Sequence, residues 1–261
     1  MDGCSSWWPE CSANESAKPF KFSFDISDTC KTHTSSDDCR DPCVWENDTC
    51  VTAGLFAKDP NGVFMVDTGS SIASLRPSFC EAQNITTQGR PIIRNYVGWK
   101  NVYDTPTKYP TNVLGLSFHP TCADRDLSYV PSGGLIGVAP TPEGTDVANA
   151  SYMDKVPVGS RTLTFDKTTG KGCFGCPVEG GEPFTTPTSE TTFVQITRGD
   201  KRYVLDTGNT ETKLLGANTA SPICLVGYTD MTSMAINYDT MTVKYDFDED
   251  KVSETCWGEK N

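Results

Sequence analysis

A chain of 261 residues that is 36% hydrophobic can bury a substantial core, as one large β domain or as two lobes. Its net charge of −12 repels nucleic acid and anionic membrane surfaces, and no apolar run is long enough to span a bilayer. The same acidity suits work at low pH, where repulsion among carboxylates falls as they protonate. Twelve cysteines, an even number, join sequons at Asn14, Asn47, Asn84 and Asn149 in pointing to the secretory pathway, with N-glycans on a secreted or lumenal protein. The start, Met1-Asp2-Gly3-Cys4, has no apolar signal region, as in a processed or partial chain.

Residues 1–55 form a cysteine-rich front end in which Cys30-x8-Cys39-x3-Cys43-x6-Cys50 surrounds Trp45. It holds too few apolar residues to fold on core burial alone, so bridges worth roughly 2–4 kcal/mol each are expected to staple it. A surface cap and a docking or propeptide-like module both fit that composition. Residues 20–26 (FKFSFDI) alternate apolar and polar, the pattern of a half-buried strand, and Trp7 and Trp8 are packing residues or surface anchors. Residues 54–57 and 63–66 read as strands flanking Lys58-Asp59-Pro60-Asn61-Gly62, a hairpin turn by its Pro-Asn-Gly.

The second of these strands runs straight into Asp67-Thr68-Gly69-Ser70-Ser71. A carboxylate directly behind a buried strand is costly unless it is paired or hydrogen-bonded. Residues 81–112, interrupted by Pro91, Pro106 and Pro110, predict a turn-rich region rather than one long hairpin. Residues 141–160 read as loop and residues 161–165 as a short alternating strand. Residues 171–188, rich in Gly, Pro and Thr, read as turns and carry Cys173-Phe174-Gly175-Cys176, which outside a βαβ setting predicts a local or inter-segment disulfide rather than a redox centre. With only His33 and His119 to join it, no metal site or other cofactor is expected. Residues 191–196 and 202–205 form a hairpin leading into Asp206-Thr207-Gly208.

A single Asp-Thr-Gly is an ordinary strand-end turn. Two copies, each behind an apolar strand, predict two half-sites related by a pseudo-twofold axis. Two carboxylates held close cannot both ionise, so one keeps a proton while the other acts as a base. Asp67 and Asp206 are therefore the candidate catalytic pair, able to activate a water and protonate a carbonyl oxygen without metal or covalent intermediate. Gly69 and Gly208 permit the tight turns, and Thr68, Thr207 and Ser70 are expected to donate hydrogen bonds that hold the carboxylates in plane.

Residues 66–80, VDTGSSIASLRPSFC, resemble the first active-site segment of pepsin-like aspartic peptidases, with Cys80 at the family's distance and Ser74 where the family has tryptophan. Residues 113–140, ending in the Leu135-Ile136-Gly137 loop, resemble the second half of the amino-terminal lobe, and residues 225–243 its carboxy-terminal counterpart. The resemblance implies an all-β, bilobal pepsin-like acid-protease barrel with pseudo-twofold symmetry and a reduced second lobe. It divides the chain into a disulfide-stapled extension (1–55), an amino-terminal lobe (56–165) and a carboxy-terminal lobe (166–261). It implies an aspartic endopeptidase acting on an extended polypeptide substrate through Asp67 and Asp206. The family's flap should fall within residues 81–112, yet neither Tyr96-Val97-Gly98-Trp99 nor Tyr103-Asp104-Thr105-Pro106 matches it; Trp99 or Tyr103 either covers the site or simply packs. Asn209-Thr210 stands where the family has a Thr/Ser pair.

The halves are unequal. Asp67 is 70 positions from Gly137, whereas Asp206 is 21 positions from Gly227, room for two strands. A reduced wall leaves a second reading open, a non-catalytic binding or structural protein on the same fold, although such relatives usually lose one aspartate and this chain keeps both. A third reading, an adhesion module, rests on residues 1–55 alone and explains neither Asp-Thr-Gly.

Overall fold

The computed structural model describes residues 19–23, 30, 32–39, 43–46, 48–96, 98–105, 111–118, 120–140, 151–186 and 193–259. The sequons at Asn14, Asn47 and Asn149, the tryptophans Trp7 and Trp8, and His119, Pro106 and Pro110 lie outside them. Among the described residues the chain is all-β and bilobal, with sheets of seven, six and four strands, two further two-stranded ladders and α-helices at Pro77–Ala82 and Glu249–Trp257.

The lobes repeat one four-strand unit. In the first, Phe56–Asp59 pairs with Gly62–Asp67 through the two-residue turn Pro60-Asn61; Gly134–Gly137 then lies parallel to Gly62–Asp67, and Ala73–Leu75 antiparallel to Gly134–Gly137. In the second, Val194–Arg198, Lys201–Asp206, Ile223–Gly227 and Lys213–Leu215 follow in the same order with the same sense. The registers coincide, since Gly137 sits opposite Asp67 and Gly227 opposite Asp206. This is the pseudo-twofold, all-β arrangement of two lobes expected from the sequence. The first sheet continues outward through Thr121–Ala123, Trp99–Asp104 and Gln88–Tyr96; the second stops at Lys213–Leu215. Among the described residues the second sheet has no counterpart of those three outer strands, and the 21 positions after Asp206 hold the two strands expected of them.

The first turn forms because Asp59 is not an ordinary exposed acid. Its buried carboxylate accepts from the N–H groups of Asn61 (2.7 Å), Gly62 (3.1 Å) and Leu114 (3.0 Å), so both the hairpin and a distant turn are satisfied at once. The second aspartate strand is seated by its apolar alternation, with Tyr203 and Leu205 joining the main core.

The six-stranded sheet runs Phe20–Ser23, Lys171–Phe174, Thr162–Asp166, Met231–Asn237, Thr242–Phe247, Glu182–Pro183. The strand expected at residues 20–26 is present over Phe20–Ser23, with residues 24–26 outside the described part. Lys171–Phe174, in the stretch read as turns, is a strand paired on both sides. Gly172 has a packing role there. It faces Phe22 across the ladder, and a Cβ there would lie 2.3 Å from the Phe22 ring, so the glycine makes room for an aromatic neighbour instead of breaking the strand.

The region expected to be turn-rich also differs. Gln88–Tyr96 and Trp99–Asp104 form one antiparallel hairpin, and a register shift between Gln88 and Ile93 absorbs Pro91 on the sheet's edge strand. Its tip is tied to the neighbouring loop by the Arg125 guanidinium, which donates to the Gly98 carbonyl. Trp99 is buried against Phe56, Met65, Val102 and Leu135 and so is a packing residue. Tyr103 lines a groove of about 740 Å³ beside the Cys80–Cys122 disulfide.

Cys30–Cys43 and Cys39–Cys50 staple the front segment around the ladder of Cys43–Glu46 with Thr49–Thr52. Cys173–Cys176 is the local disulfide expected, and Cys224–Cys256 ties the last helix to the strand behind Asp206.

Candidate active site

Each aspartate ends a buried strand, and the pseudo-twofold brings the two together. Gly69 N–H donates to Asp67 Oδ1 at 2.8 Å and Gly208 N–H to Asp206 Oδ1 at 2.9 Å, the same bond in each half. The carboxyl groups of Asp67 and Asp206 face each other across the junction, each packed against the glycine of the opposite half. A Cβ on Gly69 would lie 2.5 Å from the Asp206 carboxyl carbon, and one on Gly208 would lie 2.2 Å from that of Asp67. Each glycine is thus required by the other half's acid. That reciprocal contact is a closer reason for Asp-Thr-Gly than turn geometry.

The threonines act differently from the expectation. Thr68 Oγ1 donates to the Leu205 carbonyl (2.9 Å) and accepts from Thr207 N–H (3.0 Å). Thr207 Oγ1 donates to the Val66 carbonyl (2.6 Å) and accepts from Thr68 N–H (3.1 Å). Both hydroxyls are fully buried and bind backbone across the junction. They hold the strands that carry the carboxylates and leave the carboxylates to the glycine amides. Ser70 Oγ bonds Ile72 in both directions, accepting from its N–H at 3.0 Å and donating to its carbonyl at 3.2 Å.

Two further glycines let the crossing strands close behind the pair. A Cβ on Gly137 would lie 2.3 Å from the Ile72 carbonyl oxygen, and one on Gly227 would lie 2.4 Å from the Glu211 carbonyl carbon. Ile72 and Glu211 each lie five positions beyond their aspartate.

Burial pushes the Asp67 carboxyl well above the usual carboxylate range, and the nearby Asp206 charge and its hydrogen bond push it further. Asp206 is also raised by burial, but the Gly208 and Asn209 N–H groups and the Lys213 ammonium favour its charged form. Both members are raised, so the pair titrates as a unit. Asp206 retains some open surface, while Asp67 is 7% exposed.

Sequence reading missed two residues here. Lys213 follows the second aspartate by seven positions with nothing in its surroundings to mark it. The phenol of Tyr238, buried against Phe184, is raised by burial and by the Asp67 charge, so it lies within electrostatic reach of the pair. A cavity of about 270 Å³ lies elsewhere, where Trp45 of the front segment faces Thr210, Glu211 and the Asp230–Lys251 ion pair.

No family model matches the sequence, and no curated protein matches it. Among solved structures the chain is similar to the aspartic proteinase from Irpex lacteus, at 17% sequence identity and a TM-score of 0.39. The match covers 59% of this chain and spans 58% of that one.

Proposed function

We propose that this chain is an aspartic endopeptidase in which Asp67 and Asp206 share a proton and hold the attacking water. The observation that carries the reading is the pair itself: two buried carboxyls, each held by its own glycine amide and packed against the other half's glycine, delivered by two copies of one strand unit. In the proposed step the water oxygen attacks the peptide carbonyl carbon while its proton passes to the ionised carboxylate. The proton already on the pair goes to the carbonyl oxygen, giving a gem-diol. The pair's proton then passes to the nitrogen, the C–N bond breaks, and a gem-diol hydroxyl returns its proton to the pair, which is left with one for the next cycle. No cofactor takes part in this scheme.

The substrate would lie extended beside the pair, held in part by main-chain bonding of β type. Thr68, Gly69, Ser70, Thr207 and Gly208 support the pair, chiefly by fixing the two strand ends. Five disulfides among the described residues, an exposed Asn84 in its sequon, and no described helix long and apolar enough to cross a membrane fit a secreted or lumenal glycoprotein. The front segment fits a stapled cap, since Thr210 donates to the Ala53 carbonyl at 2.8 Å where that segment joins the first lobe.

The test is proteolysis of a denatured protein at about pH 3–6, around and above the ordinary carboxylate range, with and without a statine-type inhibitor. Inhibitor-sensitive cleavage that disappears in Asp67→Asn and Asp206→Asn is the expected result; a chain that cleaves nothing defeats the reading. One observation favours the non-catalytic alternative: among the described residues the second sheet has no outer strands, which leaves less wall to grip a substrate. Under that alternative Asp67→Asn leaves the biological role intact.

A further inference from the structure

The two strand units place Ser74 and Lys213 at the same station. Each lies seven positions after its aspartate, and each pairs with the leucine two residues before the crossing-strand glycine: Ser74 with Leu135, Lys213 with Leu225. Their surroundings are opposite. Ser74 is fully buried, because Thr121–Ala123 pairs alongside it and continues the sheet. Among the described residues no strand lies beyond Lys213–Leu215 in its sheet, and Lys213 is exposed.

The Lys213 ammonium is oriented toward the active-site side. Its Nζ donates to Asn209 Oδ1 at 3.2 Å, and Asn209 directly follows Gly208, whose N–H holds the Asp206 carboxylate. Among the described residues no carboxylate lies within ion-pair distance of it. The nearest acid in sequence, Glu211, lines the cavity facing Trp45 instead. A lysine on a bare sheet edge can serve simply to block edge-to-edge pairing. Its tether to Asn209 places this one beside the reacting carboxylates, where an extended chain would pass.

We propose that Lys213 is a specificity-determining residue that receives an acidic side chain of a peptide bound beside Asp206. Where the first lobe has outer strands, the second offers a charge, so recognition there is ionic. The catalytic form of this proposal rests on the peptidase reading; its binding form does not.

The experiment walks a single Glu, with Gln as control, through the positions flanking the scissile bond of a fluorogenic peptide. It is run at about pH 5–6, where a free Glu carries its charge. At one position kcat/KM for Glu should exceed that for Gln by about three- to fivefold, the size of an exposed ion pair, and salt should erode the difference. The ratio should fall to about one in Lys213→Met, invert in Lys213→Glu and survive in Lys213→Arg. A ratio unchanged in Lys213→Met overturns the proposal and leaves Lys213 as an edge blocker. If the wild type cleaves no peptide, the peptidase reading fails. The same peptides are then measured by fluorescence anisotropy against Asp67→Asn with and without Lys213→Met. Absent or charge-indifferent binding overturns the proposal there too.

Discussion

Thr68 and Thr207 exchange the same pair of bonds across the junction: each hydroxyl accepts from the other residue's N–H and donates to the carbonyl two positions before it. Three buried polar groups of each half, an N–H, a hydroxyl and a carbonyl, are satisfied by the other half. Neither strand end can therefore shift without leaving a buried donor or acceptor unpaired, which costs about 1–3 kcal/mol per group. Thr207→Ala should lower stability by that amount in denaturant unfolding. It should also reduce kcat more than KM, because the pair loses its alignment. Thr207→Ser, which keeps the hydroxyl, should recover most of both. Equal losses in Ala and Ser would place the effect in the methyl group rather than in the bond.

Gly208→Ala tests the reciprocal contact. Its new methyl would stand 2.2 Å from the Asp67 carboxyl carbon, so the carboxylate or the backbone must move. Activity should be lost while the strand core persists, because the displaced group is at the end of a strand rather than inside the sheet. Far-UV circular dichroism unchanged beside abolished cleavage is the expected combination. Retained activity would mean that the two carboxyls do not act as one unit.

The dyad should also make stability depend on pH in an unusual direction. Both carboxyls titrate above the usual range when folded, so the native state holds protons that the unfolded chain releases. The stability this contributes is complete below the unfolded value of about 4 and is lost as pH rises through the raised values. Asp67→Asn removes the like-charge strain. It should match the wild type near pH 3 and exceed it at neutral pH by on the order of 1 kcal/mol, roughly 2–4 °C in Tm for a chain of this size. A variant advantage that instead grew toward acid pH would contradict the raised titration.

The parts legible in the sequence were those with a local signature. Asp67 and Asp206 could be found because each carboxylate follows an apolar strand, and the Pro60-Asn61 turn because its residues dictate it. The role of Thr68 and Thr207 was misassigned, since their partners Leu205 and Val66 lie on the opposite half. Lys213 was invisible for a related reason. Its exposure depends on strands that are absent beyond it, whereas Ser74 at the matching station is buried by strands that are present. Gly172 looked like a turn because the ring that needs its missing side chain, Phe22, is 150 positions away.

That last pair can be measured. Gly172→Ala places a methyl against the Phe22 ring and should destabilise the six-stranded sheet by about 1–3 kcal/mol through overpacking. Phe22→Leu alone should cost about 1 kcal/mol or more, because Phe22 also packs on Phe174 with ring centroids 5.2 Å apart. Combined, the two changes should cost less than their sum, by a coupling on the order of 1 kcal/mol in a double-mutant cycle. Strict additivity would show that the front strand Phe20–Ser23 does not dock on Gly172 in solution.

The Cys224–Cys256 bridge governs how firmly the second lobe's short sheet is held. Cys224 lies in the strand parallel to the one that ends in Asp206, and Cys256 lies in the helix Glu249–Trp257, whose Trp257 packs edge-on against Tyr203. With three fewer outer strands than its counterpart, this sheet has less of its own burial to rely on. The bridge spans 32 positions, for which chain entropy gives about 3–4 kcal/mol. Cys224→Ser with Cys256→Ser should lower stability by about that much. Hydrogen exchange should then rise first in Lys201–Asp206 and Ile223–Gly227, while the strands around Asp67 stay protected. Removing Cys80–Cys122, which ties the helix Pro77–Ala82 to the seven-stranded sheet, should leave that order reversed. If both variants opened the same strands, the two lobes would be a single cooperative unit, and the reduced sheet would draw its stability from the larger one.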